Sequence, residues 1–308
     1  MKPPEWIWQN GELVPWAEAT THVMSHALHY GSSVFEGVRA YATAAGPCFF
    51  RLGCHLRRLE ASAKVYGMTL PHDRDALAAA CAGVVARNDL TAAYVRPLAY
   101  RGFGALGLDP AASPVDVIVA AFAWGSFLGA DGLEKGIDAC ISSWQRLAPN
   151  TLPAAAKAGG NYLGGQLIAT EAKRNGYDEG IALAIDGTVS EGSGENLFLV
   201  RDGKLITPPA SAGILLGITR DTVMHIAAGL ELEVIERAIV REQLYVADEV
   251  FLTGTAAEIA PVRSIDRIPV GNGGRGPITA EIQRQFFGLF DGTVEDRHGW
   301  LQAVEGTT

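Results

Sequence analysis

Thr151 to Gly165 reads TLPAAAKAGGNYLGG and sets Lys157 among alanines and glycines, with no other charge for ten residues on either side. The chain has only six lysines. The other five, Lys2, Lys64, Lys135, Lys173 and Lys204, lie in ordinary contexts: a terminus, helical or charged stretches and a turn. Small neighbours let a bulky group approach the Lys157 amine. An amine in a dry, crowded place loses its proton and can form a Schiff base with a carbonyl compound. Taken alone, such a stretch more often means an exposed lysine on an Ala-rich loop. The weight therefore falls on its company.

Four features of the chain belong with that amine. SEGSGENLF (Ser190–Phe198) has glycines that turn the chain and aim Glu191 inward, or it is a plain acidic hairpin. LLGITRD (Leu215–Asp221) puts Gly217 ahead of a helix start at Ile218 and Thr219. Free N–H groups there suit a phosphate, although a simple helix cap at Thr219 explains the same residues. TGTAAE (Thr253–Glu258) ends a buried strand with amides and the Thr255 hydroxyl open to an anion. Of Arg57 and Arg58, one could neutralise a phosphate, while a solvated helix face accounts for both. A nucleophilic lysine, a carboxylate for a ring nitrogen, amides and one arginine are together what pyridoxal phosphate requires. Earlier, AAYVRPLAY (Ala92–Tyr100) alternates as a strand does and carries Tyr94 and Arg96 on one face. A phenol and a guanidinium so placed clamp a carboxylate, or Arg96 forms a structural ion pair.

The elements that must position these groups follow from periodicity. Trp6–Val14 is a hairpin over Asn10-Gly11. SHALHYGSSVFEGVRAY is dense in His, Tyr and Gly and becomes strand-like from Val34. A strand at Phe49–Arg51 and helices at Cys54–Tyr66 and Pro71–Arg87 follow, then the Tyr94 strand and a buried strand VDVIVAAFAW. WGSFLGADGLEK (Trp124–Lys135) is the expected linker, dividing a domain at 1–123 from one at 136–308. Beyond it the pattern predicts strand IDACISS, a helix from Tyr162 to Asn175, and strands EGIALAID and NLFLV. Turns are expected at Asp186-Gly187 and at Glu191–Glu195. KLITPP, helices at Ile218–Gly229, Glu242–Leu244 and Ile278–Phe287, and a core strand EVFLTGT complete the pattern.

A chain of 308 residues suffices for two domains. Hydrophobic content of 48% against 19% charged residues describes a compact globule. A net charge of −9 and a pI near 5.3 argue against a general binder of nucleic acid or anionic membranes. Cys48, Cys54, Cys81 and Cys140 form no CxxC pair and read as reduced, mostly packed thiols, and no metal is expected. MKPPEWIWQNGE lacks the apolar core of a signal peptide, and no apolar run is long enough to span a bilayer. A cytoplasmic protein is expected.

The order and wording of these motifs resemble the branched-chain amino acid aminotransferases of the fold type IV class of pyridoxal-phosphate enzymes. The resemblance runs from WIWQNGE through HVMSHALHYGSSVFEG, AYVRP, SSWQR, AAKAGGNY, SEGSGENLF and GITRD to TGTAAE and VRSID. It implies an α+β (α/β) two-domain fold, with a small N-terminal α/β domain and a larger C-terminal pseudo-barrel domain. It also implies at least a homodimer, extending in some members to a hexamer, and no nucleic-acid or membrane partner. By the same resemblance Lys157 would hold pyridoxal 5'-phosphate and shuttle the proton, and Tyr162 would hydrogen-bond its 3-oxygen. Glu191 would pair with the ring nitrogen, and Arg58, Gly217, Ile218, Thr219 and Thr255 would cradle the phosphate.

Substrate recognition is implied in the same way. Tyr94 with the amides of Thr255 and Ala256 would meet the α-carboxylate. Phe35, Trp124, Tyr162 and the partner subunit's Leu106 would form an apolar pocket, with Arg39 and the partner subunit's Tyr30 at its edge. Arg96, the partner subunit's Tyr30 and the amide of the partner subunit's Leu108 would take the side-chain carboxylate of glutamate. The activity implied is transfer of an amino group between leucine, isoleucine or valine and 2-oxoglutarate in a ping-pong cycle. Within the same fold the alternatives are a D-amino acid or (R)-amine transaminase and an aminodeoxychorismate lyase. The Tyr94/Arg96 pairing argues against the first, and dependence on an amino acceptor separates the second.

If Lys157 is the one reactive lysine, borohydride reduction in the presence of the cofactor attaches it to the peptide containing residue 157. Lys157→Ala then loses both the attachment and turnover. Label recovered on Lys135 or Lys173 ends the assignment.

Overall fold

A computed structural model describes residues 3–123 and 129–304, and within it the chain forms two compact units. The first unit takes Met1–Gly125 together with Ala156–Gly160 and Phe290–Thr308. Its strands and helices alternate as β1 (Trp6–Gln9), β2 (Glu12–Pro15), α1 (His26–Tyr30), β3 (Ser33–Phe35), β4 (Val38–Thr43), β5 (Gly46–Phe50), α2 (Leu52–Val65), α3 (Arg74–Arg87), β6 (Ala93–Arg101) and β7 (Val115–Ala123). The C-terminal strand Leu301–Ala303 joins the edge at β5. Among the described residues the sheet has eight strands, ordered C-terminal strand, β5, β4, β6, β7, β1, β2, with β3 paired to β6.

The β1–β2 turn is at Asn10-Gly11, where φ is +49° and +109°, values that asparagine and glycine tolerate best. Helix α2 buries Leu52, Leu56, Leu59 and Ala63, and α3 buries Leu77, Cys81 and Val84. Both faces pack with Val38, Phe49, Val95, Val117 and Val119 of the sheet. Asp73 caps α3 by accepting from the Ala76 amide at 2.8 Å. Both helices expected in this unit therefore stand within two or three residues of their expected bounds. The short α1 is not legible in the sequence because five residues show too little periodicity.

The second unit takes Ser126–Ala155 and Asn161–Leu289. The linker expected over Trp124–Lys135 is outside the described residues for 124–128, and its remainder is the helix α4 (Gly129–Lys135). Then follow β8 (Ile137–Gln145), α5 (Tyr162–Arg174), β9 (Glu179–Leu183), β10 (Val189–Gly192), β11 (Asn196–Arg201), β12 (Lys204–Thr207), α6 (Ile218–Gly229), β13 (Val234–Glu236), α7 (Arg241–Tyr245), β14 (Glu249–Gly254), β15 (Glu258–Ile265), β16 (Ile268–Pro269) and α8 (Pro277–Asp291).

Among the described residues these strands make one sheet in the order β10, β9, β8, β15, β14, β11, β12, β13, with β16 on β15. Its centre is mixed: β8 runs parallel to both β9 and β15, while β14 runs antiparallel to β15 and β11. Ile137, Ile181, Leu197, Leu199, Val250, Leu252 and Val262 fill its core. Glu191, expected in a turn, is on β10; only Ser193–Glu195 bend. The glycines of SEGSGE suggest a turn, yet β10 completes its pairing with β9 through a register shift.

Of the free cysteines, Cys48, Cys81 and Cys140 are buried, and burial pushes the Cys81 thiol up to about 12. Among the described residues no helix is long and apolar enough to cross a membrane.

Helix α8 is capped from a distant strand. The buried Glu249 of β14 accepts from the amides of Ile278 and Thr279 at 2.9 and 2.7 Å, and from the Thr279 hydroxyl at 2.6 Å. Gly276 makes room for it, since a Cβ there would stand 2.1 Å from the Glu249 carboxyl carbon. Glu249→Ala strands two first-turn amides and removes the charge favoured at a helix N-terminus. It should cost about 1–3 kcal/mol, read as a lowered urea midpoint. An unchanged midpoint would show that water replaces the cap without loss.

Candidate active site

Lys157 is pinned by its backbone before its side chain does anything. Its N–H donates to the buried Ser62 hydroxyl of α2 at 2.9 Å, and its carbonyl accepts from the Phe35 amide of β3 at 3.0 Å. The next residue, Ala158, bridges Val34 in antiparallel register. Gly159 follows because a Cβ there would meet the Ser33 hydroxyl at 2.3 Å. The small residues around Lys157 thus let this segment lie flat against β3. The amine nitrogen stands 5.0 Å from the centre of the Phe35 ring.

Charges beside it set its chemistry. Glu36 is fully buried, and its oxygens accept from Arg58 Nε at 2.6 Å and Arg58 Nη2 at 2.9 Å. His55 Nδ1, itself buried, donates to the second oxygen at 2.7 Å, since a carboxylate can only accept. Burial alone would raise the Glu36 pKa, but Arg58 and then His55 overcome it and hold the carboxyl well below the usual range. Burial pulls the His55 pKa down against the attraction of Glu36, so the imidazole is held toward its neutral form. Burial likewise depresses the Lys157 pKa; Glu36 opposes the fall, while Arg58 and Arg96 add to it. An amine deprotonated below the ordinary lysine value of about 10.4 is nucleophilic under milder conditions.

On β6, Arg96 donates from Nη2 to the Tyr94 hydroxyl at 3.3 Å. Its guanidinium lies 4.6 Å from the Phe35 ring centre and 5.3 Å from that of Tyr94. Among the described residues no carboxylate pairs with Arg96, and its buried Nε has no partner. The structural ion pair that would make Arg96 a simple brace is therefore missing there. Gly37 admits the phenol: a Cβ at that position would fall 1.8 Å from the Tyr94 hydroxyl. Arg39, buried on β4, sits 5.7 Å from the Tyr41 ring centre. Lys157, Phe35, Arg58, Tyr94 and Arg96 accordingly form one cluster. Arg57 points elsewhere, to the Cys54 sulfur at 3.0 Å.

The remaining expected residues of the first unit are exposed. Tyr30 ends α1, its ring 4.6 Å from that of His26. Leu106 and Leu108 are on the loop after β6, with Leu108 88% exposed. His26 anchors that loop by Nε2 to the Gly107 carbonyl at 2.8 Å.

In the second unit a separate group forms around Glu191, which is 4% exposed. Arg146 Nη2 reaches one of its oxygens at 2.5 Å. Asn196 Nδ2 and the Leu215 amide donate to the other, both at 3.0 Å. The Asn196 amide oxygen accepts from the Gly217 N–H at 3.0 Å. Glu191 is thereby tied to the start of α6, whose cap residue Gly217 is extended and whose Ile218 and Thr219 are buried. Gly217, the cap residue of α6, brings no side chain of its own to the first-turn amides, and amides at such a helix end suit an anion. Thr255 and Ala256 form the turn joining β14 to β15, closed by Glu258 at φ +59°. Tyr162 begins α5, behind Asn161, whose side chain donates to the Pro153 carbonyl at 3.0 Å. Trp124 lies outside the described residues.

Sequence reasoning misses Glu36, His55, Ser62, Arg146 and Asn196. Glu36 leaves one signal, an acid between Phe35 and Gly37 in an otherwise strand-like run. Arg146 and Asn196 stand within the motifs SSWQR and SEGSGENLF but carry no mark of their partners.

The pattern defining the amino-transferase class IV family matches residues 33–265. The branched-chain-amino-acid aminotransferase of Escherichia coli K12 is 55% identical over 304 residues, covering 98% of each chain. The crystal structure of the E. coli branched-chain amino acid aminotransferase superposes with a TM-score of 0.97 at 55% identity, over 98% of this chain and 100% of that one. The branched-chain amino acid aminotransferase of Thermobaculum terrenum, in its PLP-bound holo form, superposes at 0.91 with 37% identity, over 99% and 100% of the two chains.

Glu36→Gln tests the charge balance at the amine. The folded pKa of Glu36 is depressed, so its stabilisation is complete above the unfolded value of about 4.3 and is lost only in strong acid. The variant lacks that stabilisation throughout and leaves Arg58 without its buried anion, costing about 3–5 kcal/mol. With the main raising charge gone, the amine pKa falls further. Lys157 in the cofactor-free variant should react with an amine reagent at lower pH than in the parent, as peptide mapping would record. A reactivity profile shifted to higher pH would contradict the assigned sign.

Proposed function

The chain belongs to the amino-transferase class IV family, and from that premise we propose that it interconverts L-leucine, L-isoleucine or L-valine and their 2-oxo acids. 2-Oxoglutarate and glutamate complete the exchange in a ping-pong cycle. Pyridoxal 5'-phosphate is the cofactor, and when bound it supplies an electron sink for the carbon that loses its proton.

The observation that carries this reading is the setting of Lys157: an amine of lowered basicity, backbone-locked against β3, beside Phe35 and the Arg58–Glu36 pair. Lys157 Nζ would hold the cofactor and, once displaced by the substrate amine, take the α proton and hold it for return. Glu191 would accept from the ring nitrogen, and Tyr162 would donate to the ring oxygen. Arg58, the α6 amides at Ile218 and Thr219, and Thr255 would hold the phosphate, whereas the Gly217 N–H expected with them is taken by the Asn196 oxygen. The fit is supported by the donor set of the chain: a buried carboxylate surrounded by donors, tied through Asn196 to the start of α6.

For substrate, Tyr94 and the amides of Thr255 and Ala256 would take the α-carboxylate common to both amino acids. Phe35 and Trp124 would wall the side-chain pocket, with Arg39 at its edge. A homodimer would complete it through the partner subunit's Tyr30, the partner subunit's Leu106 and the partner subunit's Leu108. Arg96, whose buried Nε has no hydrogen-bond partner among the described residues, would meet a charged side chain. A carboxylate entering an apolar pocket needs such a counter-charge, and leucine does not.

Arg96→Leu should therefore slow the glutamate half-reaction far more than the leucine half-reaction. A lost charge-assisted hydrogen bond is worth about 1.5–3 kcal/mol, or roughly ten- to a hundredfold in specificity constant. Stopped-flow absorbance resolves each half-reaction. Equal losses for both substrates would reduce Arg96 to a scaffold residue.

A further inference from the structure

We infer that Arg146 and Asn196 are positioning residues that fix Glu191 as an ionised acceptor and so dictate a protonated ring nitrogen in the bound cofactor. The inference rests on the proposal that Glu191 meets that nitrogen. A carboxylate offers about four lone-pair sites when ionised and none of its own hydrogens. Around Glu191 three donors converge: Arg146 Nη2 at 2.5 Å on one oxygen, with Asn196 Nδ2 and the Leu215 N–H at 3.0 Å on the other. These donors fill three of the four sites and leave the last for an incoming N–H. The Arg146 guanidinium against the carboxylate favours its ionised form. An ionised carboxylate can only accept, so a ring nitrogen meeting it must bring a hydrogen.

Each clamp residue is itself held. The Arg146 N–H donates to the Leu183 carbonyl at 2.9 Å, fixing its backbone at the end of β9, and its side chain is only 9% exposed. Its buried Nε has no partner among the described residues, so the guanidinium is committed to Glu191 rather than to a wider network. Asn196 is the more constrained. Its Nδ2 also donates to the Leu215 carbonyl at 2.8 Å, and its oxygen takes the Gly217 N–H. A Cβ at Gly217 would fall 2.1 Å from that oxygen, so the contact requires glycine. Asn196 thereby sets the distance from the carboxylate to the α6 amides, the two places that would grip opposite ends of one ring-and-phosphate molecule. The two residues have separable duties. Arg146 controls charge, and Asn196 controls spacing.

The test uses pyridoxamine 5'-phosphate labelled with 15N in the ring, added to cofactor-free protein, with the nitrogen chemical shift and the fluorescence-titrated affinity as readouts. Wild type should show the protonated signal. Arg146→Met leaves Glu191 buried with neutral donors alone, which favours the uncharged pair. Its signal should move toward the unprotonated position, and Arg146→Lys should restore it. Asn196→Ala should keep the protonated signal while affinity falls about ten- to a hundredfold, the loss of one hydrogen bond to a charged group. If Arg146→Met misfolds, Arg146→Gln, which keeps a neutral donor toward Glu191 and removes the charge, carries the test by the same shift of signal. A protonated signal in Arg146→Met, where Glu191→Gln shifts it, overturns the inference and leaves Arg146 a brace. An unshifted signal in Glu191→Gln as well overturns the reading of Glu191 itself.

Discussion

The first unit is arranged around one carboxylate that has no contact with water. Glu36 sits at the end of β3, fully buried, and taking it there is tolerable only because Arg58 meets it through two nitrogens and His55 through a third. Those contacts oblige α2 to lie across β3 with a fixed rotation. The same rotation delivers Ser62 to the Lys157 amide. The position of the amine and the electrostatics that lower its pKa therefore have a common origin. Arg58 also emerges with a defined orientation, its Nε and Nη2 edge turned to Glu36.

The second unit repeats the device with a different outcome. Glu36 is met on both oxygens by side chains, and of these Arg58 also shapes the charge at an amine. Glu191 is met by one guanidinium and by two neutral amides, one of them from the chain leading into α6. Two buried acids of like chemistry thus serve different ends, one balancing a lysine and one tied to a helix start. What separates them is the identity of the donors around each, not burial, since both are almost wholly removed from solvent.

What the sequence made legible is what local pattern encodes. Alternation puts Tyr94 and Arg96 on one face of a strand, and helical periodicity with a leading glycine locates α6 to the residue. The isolation of Lys157 among small residues marks it directly. Glu36 is illegible because its partners are 19 and 22 residues away, and nothing local distinguishes it from a surface acid. Arg146 finds Glu191 only through the parallel pairing of β8 and β9, a crossover that no short window reports. Serine and glycine dominate the neighbourhood of Glu191 and favour a turn, and the pairing that extends β10 overrides that preference. Arg58 on a helix face looks solvated for the same reason as Glu36: its counter-charge is on another element.

The five residues Ala156–Gly160 pack with the first unit although the chain on both sides belongs to the second. That excursion orders the assembly of the molecule in time. A growing chain that has reached residue 125 already contains Glu36, His55 and Arg58, whereas the bridge from Val34 to Ala158 needs residues made later. Closing that loop means fixing a long intervening chain, the kind of contact that forms late and slowly. The C-terminal strand on β5 arrives later still. The amine is thus made only after the residues whose charges tune it. A chain interrupted before residue 156 carries Glu36, His55 and Arg58 and lacks the nucleophile.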